Sequence, residues 1–493
     1  MMSRMSPSLS KLLATGLLLV TLAACSTAPG TGRSIFTGGM SSEDELNLGA
    51  QEHPKMVGAF GGRYDDPALQ AYIDSIGQLL VKTSETPNAT FTFTLLDSPI
   101  VNAFALPGGY VYVTRGLVGL AENEAQLAGV LAHEIGHVTA RHSAERYGST
   151  VLASVGVAAV GILTGSGAAA NAGGTAAQLA LSSYSRGQES EADELGIRYM
   201  SRAVYDPDAM AGFLENLQAN DRLEATLSGK PEAADNFNLL QTHPRTADRI
   251  REAAARAGGI KVQDPIQARD IYYAKIDGMV YGDSRAQGLV RGQRFIHPEL
   301  RFAFEVPAGF RLTNTPSSVI ARHPDGAAIA FDNAPKKEAQ NTEVGNYLSR
   351  VWAAKLNLKD FERITINGLA AATATSRINT RQGPRDLRLL AVRLDSDSIY
   401  RFLFFTPTAQ TAALANDLRE TTYSFRRLSE AEAAAIQPYR IRIHEVRKGE
   451  TLSGLAATLP FPDHREDRLR VLNGLAAGEQ LLVGQKIKLI AEY

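Results

Sequence analysis

The 493-residue chain contains a single cysteine, so no disulfide can form within it and its stability must come from packing and bound ligands. Its net charge is −1, from 51 basic and 52 acidic residues, and no block of basic residues interleaved with aromatics stands out. Nothing here offers a footing for nucleic acid. Long hydrophobic runs are missing too, since the apolar segment from Leu12 to Leu22 is well short of the ~20 residues that span a bilayer. With only nine histidines, a pair of them four residues apart is informative.

That pair lies in Leu131-Ala132-His133-Glu134-Ile135-Gly136-His137, an HExxH motif. On a helix, imidazoles at i and i+4 share one face a turn apart, a spacing suited to two ligands of one tetrahedral zinc. Glu134 then stands beside the metal, placed to take a proton from the water the metal acidifies and to return it to a leaving amine. Asn123 and Gln126 read as a capping-box start, and Leu127, Val130, Leu131, Ile135 and Val138 form an apolar stripe. The helix is therefore expected to bury one side and to turn its histidines toward a cleft.

A third ligand is expected from Ser185 to Asp193, where Glu189 and Asp193 are again i and i+4. Glu189 can bind the metal while Asp193 accepts the free ring N–H of a ligating histidine; Glu191 points elsewhere on that helix. Tyr110 to Val113, after Pro107-Gly108-Gly109, predicts a strand, read as an edge strand able to pair with an extended peptide, with an ordinary core strand as the alternative. His53 and His142 read as structural or surface residues, and His297 and His323 as turn residues.

HExxH, the Glu-Ser-Glu-Ala-Asp of 189 to 193, and the stretch Asn102 to Leu117 together resemble the gluzincin metallopeptidases of the HtpX-like and CAAX prenyl protease type, over about Leu48 to Ala257. The resemblance implies one Zn2+ per chain held by His133, His137 and Glu189, with Glu134 as general base and Asp193 supporting a ligand. Thr242-His243-Pro244 matches a His-Pro element of the family, with Arg249 following it. For His243 this implies either capping of the metal in a latent state or donation to the oxyanion of the tetrahedral intermediate. The family includes periplasmic proteases that watch over outer-membrane assembly.

Two further resemblances lie at the ends. Arg4 and Lys11 precede the apolar run, and Leu22-Ala23-Ala24-Cys25 resembles the bacterial lipobox, which implies an export signal, lipidation of Cys25 and a mature chain anchored at the inner face of the outer membrane. Near the other end, His444 to Ala456, Val471 to Leu475 and Val483 to Leu489 resemble one LysM module, which implies binding of N-acetylglucosamine-containing glycan, here peptidoglycan. Pro460, Pro462 and Arg465 to Arg468 interrupt the helix usual between its two ends.

The expected architecture is multidomain: a signal peptide (1–24), a lipidated tether (25–41), a mainly α gluzincin metallopeptidase domain with a small β element (42–260), an α+β accessory domain (268–430) and a small βααβ LysM-like module (441–493). Val151 to Ala180 carries no charge and reads as small-residue helices in the core or over the cleft, or alternatively as a re-entrant hairpin. The expected function is a lipid-anchored periplasmic zinc endopeptidase cutting unfolded or misassembled outer-membrane polypeptides, with the outer-membrane assembly machinery and peptidoglycan as further partners and no nucleic acid. The alternatives are a largely latent chaperone or assembly factor, and a peptidoglycan-tethering module with a structural metal site.

Overall fold

The computed structural model describes residues 25–150, 183–228, 243, 249, 252, 255, 256 and 258–492. The expected signal peptide and the uncharged stretch from 151 to 180 lie outside these. Two compact units form: one joins the described residues up to Met279 with Ile441–Ile490, the other comprises Val280–Arg440 with Ala491 and Glu492. Among the described residues no helix is long and apolar enough to cross a membrane.

The first unit opens with a short antiparallel hairpin, β1 (Cys25–Thr27) and β2 (Ser34–Phe36), where the sequence suggested only a tether. Ala28 and Ile35 are buried and anchor it. Two helices follow, α1 (Ser42–Ala59) and α2 (Pro67–Thr83). Ser41 and Asp44 make a reciprocal capping box for α1, and Asp66 caps α2 ahead of Pro67. Next come β3 (Thr92–Leu96), β4 (Ala103–Leu106) and β5 (Tyr110–Thr114).

Their sheet runs in the order β3-β5-β4, with β5 parallel to β3 and antiparallel to β4. The expectation of an edge strand at Tyr110 to Val113 is thus corrected: both edges of β5 are paired, and Val111 to Val113 are buried. The parallel partner β3 lies 18 positions upstream in register, too far for local patterning to reveal.

Beyond β5 run α3 (Arg115–Leu120), α4 (Glu124–Thr139), α5 (Arg186–Arg202) and α6 (Asp208–Ser228). Asn123 Oδ1 accepts the Gln126 N–H at 2.8 Å, while the Gln126 side chain reaches back to Glu122 N at 2.9 Å. α4 is buried on nearly all sides, not along one stripe, because α5, α6, α2 and β4 all pack on it. Gly136 and Gly196 allow the closest approach. A Cβ on Gly136 would sit 3.0 Å from Ala192 O, and one on Gly196 would sit 3.1 Å from His133 N. Small residues at this crossing bring the two metal-motif helices within reach of each other.

The second unit is built on a seven-stranded antiparallel sheet, in the spatial order 311–314, 319–322, 328–333, 399–407, 383–393, 369–380, 359–366. A four-stranded sheet (426–427, 302–305, 294–297, 289–291) and helix Thr411–Ser424 join it. Alternating residues of the strands turn inward onto an aromatic core that includes Phe295, Phe302, Phe304, Phe331, Phe402 and Phe425. Val344–Asn346 is α-helical and runs on into a π-helix, Tyr347–Trp352.

Strand β6 (Tyr439–Glu445), helices α7 (Leu452–Ala457) and α8 (Arg465–Leu472) and strand β7 (Lys486–Glu492) follow, with β6 and β7 neighbours in one sheet. Arg465 to Arg468, which interrupt the sequence pattern, open α8. This segment packs on the rest of the first unit. Lys488 is fully buried, and its Nζ donates to the carbonyls of Gly119, Leu120 and Ala121 at 2.9, 3.1 and 2.8 Å. These carbonyls end α3, where intrahelical partners run out, so the amine serves as a cap borrowed from the far end of the sequence. Burial pulls the Lys488 ammonium down to about 7.

Candidate metal centre

Four donors converge between α4 and α5. His133 and His137 face each other with Nε2 atoms 3.0 Å apart, and His243 Nδ1 lies 3.2 Å from His133 Nε2 and 2.9 Å from Glu189 Oε1. Glu189 Oε1 is 3.5 Å from His137 Nε2, and one atom from each of the four residues falls within 4.8 Å of all the others. All four side chains are buried. Such crowding of mutually unsatisfied lone pairs, deep in a dry site, fits a cation at the centre: three imidazoles and a carboxylate are a donor set for zinc.

Local structure explains the convergence. His133 and His137 sit one turn apart on α4, and Glu189 enters from the first turn of α5, whose start is fixed by a Ser185–Gln188 capping box. Asp193, one turn beyond Glu189, accepts from His133 Nδ1 at 2.9 Å. Arg249 donates to both Asp193 oxygens at 2.8 and 2.7 Å and also to Glu189 Oε2. It ties the two carboxylates of α5 together. The sequence placed Arg249 near the site without giving it this partner set.

Electrostatics sort the groups by role. Burial pushes the Glu134 carboxyl up to about 7, and among the described residues neither of its oxygens has a hydrogen-bond partner. His243 Nε2 lies 3.4 Å from Glu134 Oε1. Such an unsatisfied buried carboxylate is costly unless it has work to do with a ligand. Burial also holds the His137 imidazole well below its usual value, hence neutral with a lone pair to offer. Burial alone would raise Glu189, but His243 and His137 outweigh it and hold its carboxyl well down.

Two residues that sequence reading set aside or missed belong here. His142, expected to be structural or at the surface, is fully buried with Nδ1 2.8 Å from His137 Nδ1. Tyr184 stacks on the His137 ring at 3.7 Å between centroids and lies under the Arg146 guanidinium. The HxxxH spacing that placed His133 and His137 gives no hint of either. His53 hydrogen-bonds Tyr112 Oη at 2.7 Å, away from the cluster, and Cys25 is exposed at the start of β1.

Residues 67–257 match the profile of peptidase family M48, and residues 444–489 match the LysM domain. This segment is an M48 peptidase domain. Over 220 residues, covering 43% of this chain and 43% of the relative, it is 36% identical to a beta-barrel assembly-enhancing protease of Yersinia pestis. The protein of that name from Escherichia coli K12 is 35% identical over 235 residues, 45% of this chain and 46% of its own. A mitochondrial metalloendopeptidase of Schizosaccharomyces pombe is 29% identical over 222 residues, 43% of this chain and 61% of its own. The chain thus spans less than half the length of the two bacterial relatives. Both HExxH and Glu189 fall inside the range that matches the family profile.

Beside the cluster lies a cavity of about 380 Å³ lined by Gly129, Val130, Met210, Phe213, Leu214 and the site residues. A second, of about 870 Å³, reaches His137 from the side of β4 and is lined by Ala105, Leu106, Pro107 and Gly108.

Proposed function

We propose that the chain is a zinc-dependent endopeptidase of the cell envelope acting on unfolded or misassembled polypeptides, those of the outer membrane among them. The observation that carries this reading is the buried quartet His133, His137, Glu189 and His243 with an unpartnered Glu134 carboxylate against it. His133, His137 and Glu189 would hold the metal. A zinc ion there polarises a carbonyl oxygen and brings the pKa of water to about 7. Glu134 takes the proton from the attacking water and passes it to the departing amine, a cycle its raised pKa suits near neutral pH. Asp193 holds His133 in the tautomer that leaves Nε2 free.

Lipidation at Cys25, placement at the inner face of the outer membrane and a link to β-barrel assembly are supported by the lipobox-like sequence and by the relatives' names. Glycan binding by the LysM-like βααβ module is part of the same reading.

His243 favours a second reading. Its Nδ1 lies against His133 Nε2 and Glu189 Oε1, where it would hold a bound metal in place of substrate; on this reading the resting enzyme is capped and the chain also serves as a client-holding assembly factor until His243 withdraws. One experiment separates the two. Lipid-free mature chain and its Glu134→Gln variant, both zinc-loaded, are compared on reduced casein. The peptidase reading expects cleavage by the parent and a loss of about 100-fold or more in the variant. Stoichiometric zinc in both with cleavage by neither points to the capped state, in which His243→Ala releases activity. Absence of zinc from the parent would overturn the site assignment.

A further inference from the structure

The two histidines of the HExxH motif are supported differently. His133 Nδ1 meets the Asp193 carboxylate directly at 2.9 Å. Among the described residues, no carboxylate meets His137 Nδ1. Facing it instead, 2.8 Å away, is His142 Nδ1, and His142 Nε2 lies 3.2 Å from Glu191 Oε2. Only one assignment of protons satisfies this chain. If His137 offers the Nε2 lone pair to a metal, its proton is on Nδ1 and donates to His142 Nδ1; His142 then carries its own proton on Nε2 and donates it to Glu191. A neutral imidazole thus stands between ligand and carboxylate as a spacer.

Glu191 is itself held from outside the two metal helices. Thr31 Oγ1 donates to its Oε1 at 2.7 Å and Arg33 Nη2 to its Oε2 at 3.0 Å. The same guanidinium grips Glu145 at 2.7 and 3.0 Å, and Glu145 also accepts from Gln188 Nε2 at 2.8 Å. Thr31 and Arg33 lie in the turn between β1 and β2, a few residues from Cys25. Arg141, next to His142, holds the same stretch through Ser26 Oγ and through Met40 O at 3.0 Å. The N-terminal hairpin is therefore joined to a candidate metal ligand by an unbroken run of hydrogen bonds.

Resting on the metal reading above, we propose that His142 and Glu191 are positioning residues for His137, and that Thr31 and Arg33 of the N-terminal hairpin complete this outer support, which makes the anchor-proximal segment a working part of the metal site. The hairpin fixes Glu191, Glu191 fixes the His142 tautomer, and His142 fixes the orientation of His137. Outer partners of this kind hold a ligating imidazole in place and raise its basicity, and their loss lowers metal affinity about 10- to 100-fold.

The test is the zinc dissociation constant of the full mature chain, by chelator competition, with the visible spectrum of the Co2+-loaded protein as a probe of ligand geometry. Glu191→Gln and His142→Ala are expected to bind zinc about 10- to 100-fold more weakly with an altered cobalt spectrum. His142→Asn, whose amide oxygen stands near the original Nδ1 acceptor, recovers much of the loss. Arg33→Ala changes a half-exposed side chain. It is expected to show a smaller loss in the same direction, whereas Glu194→Gln, on the exposed side of α5, leaves the constant unchanged. Parent-like affinity and cobalt spectrum in folded Glu191→Gln and Arg33→Ala would overturn the proposal. Failure of the parent to bind zinc would remove the metal reading itself, an outcome visible before any variant is made.

Discussion

The crossing of α4 and α5 in the first unit and the core of the second bury opposite kinds of side chain. In the first, the interior at the crossing of α4 and α5 holds His133, Glu134, His137, His142, Glu189, Asp193, His243 and Arg249. In the second, the largest fully buried side chains are Tyr347, Phe295, Phe302, Phe304 and Phe402, and rings pack in contact, as with Phe304 and Phe331 at 4.6 Å. The first interior is stable only while its charges and lone pairs are matched, and a cation is the missing member of that match. The second needs no ligand, because area removed from water and ring packing suffice. Function sits where the core is hard to satisfy.

The sharpest test of this contrast is metal removal. Chelation should lower the melting temperature of the first unit and leave the second alone, with an effect of about 4 kcal/mol when free zinc stands a thousandfold above its dissociation constant. Calorimetry with and without chelator would read two transitions, of which one moves; equal shifts in both would break the comparison. Phe302→Ala should do the reverse, costing the second unit about 3–5 kcal/mol in urea unfolding while the zinc constant stays put.

Acid offers a smaller probe confined to the second unit. Burial lowers the His297 imidazole to about 4, so the folded chain refuses a proton that the unfolded chain accepts below about 6.5. Stability contributed this way is complete above pH 6.5 and lost as pH falls toward 4, about 3 kcal/mol in all. His297→Leu should remove that pH dependence, at the expense of the Leu300 N–H that His297 Nδ1 now accepts. The smallest effect is expected at Lys488→Met, about 1–2 kcal/mol in the first unit, from three carbonyls left without their donor. Urea midpoints of the first-unit transition would show it.

Much of the site was legible because its geometry is local. The i, i+4 spacings of His133 with His137 and of Glu189 with Asp193 are set by helix pitch, and Asn123 announces the helix that carries the first pair. Strands such as 328–333 and 399–407 betray themselves by alternation. Residues 359–380 do not, although they form a hairpin with strands of 8 and 12 residues: their Ala- and Thr-rich stretches carry little apolar contrast. Nor does alternation tell a central strand from an edge strand, which is why β5 was misplaced. His142 and Lys488 escaped for one shared reason. Histidine and lysine are solvated by default, and what buries them here are partners on other elements, among them Glu191 for the first and Gly119 to Ala121 for the second.

Lys488 also sets an order of events. Its amine and the carbonyls it caps are separated by 367 to 369 positions, among the longest loops the chain could close. Closing such a loop is slow, and its entropy must be lost before any contact rewards it. The turn that leads into the metal helix is therefore finished late, after β7 has been made and has docked. A nascent chain would carry HExxH on a helix whose preceding turn lacks this cap until β7 is in place.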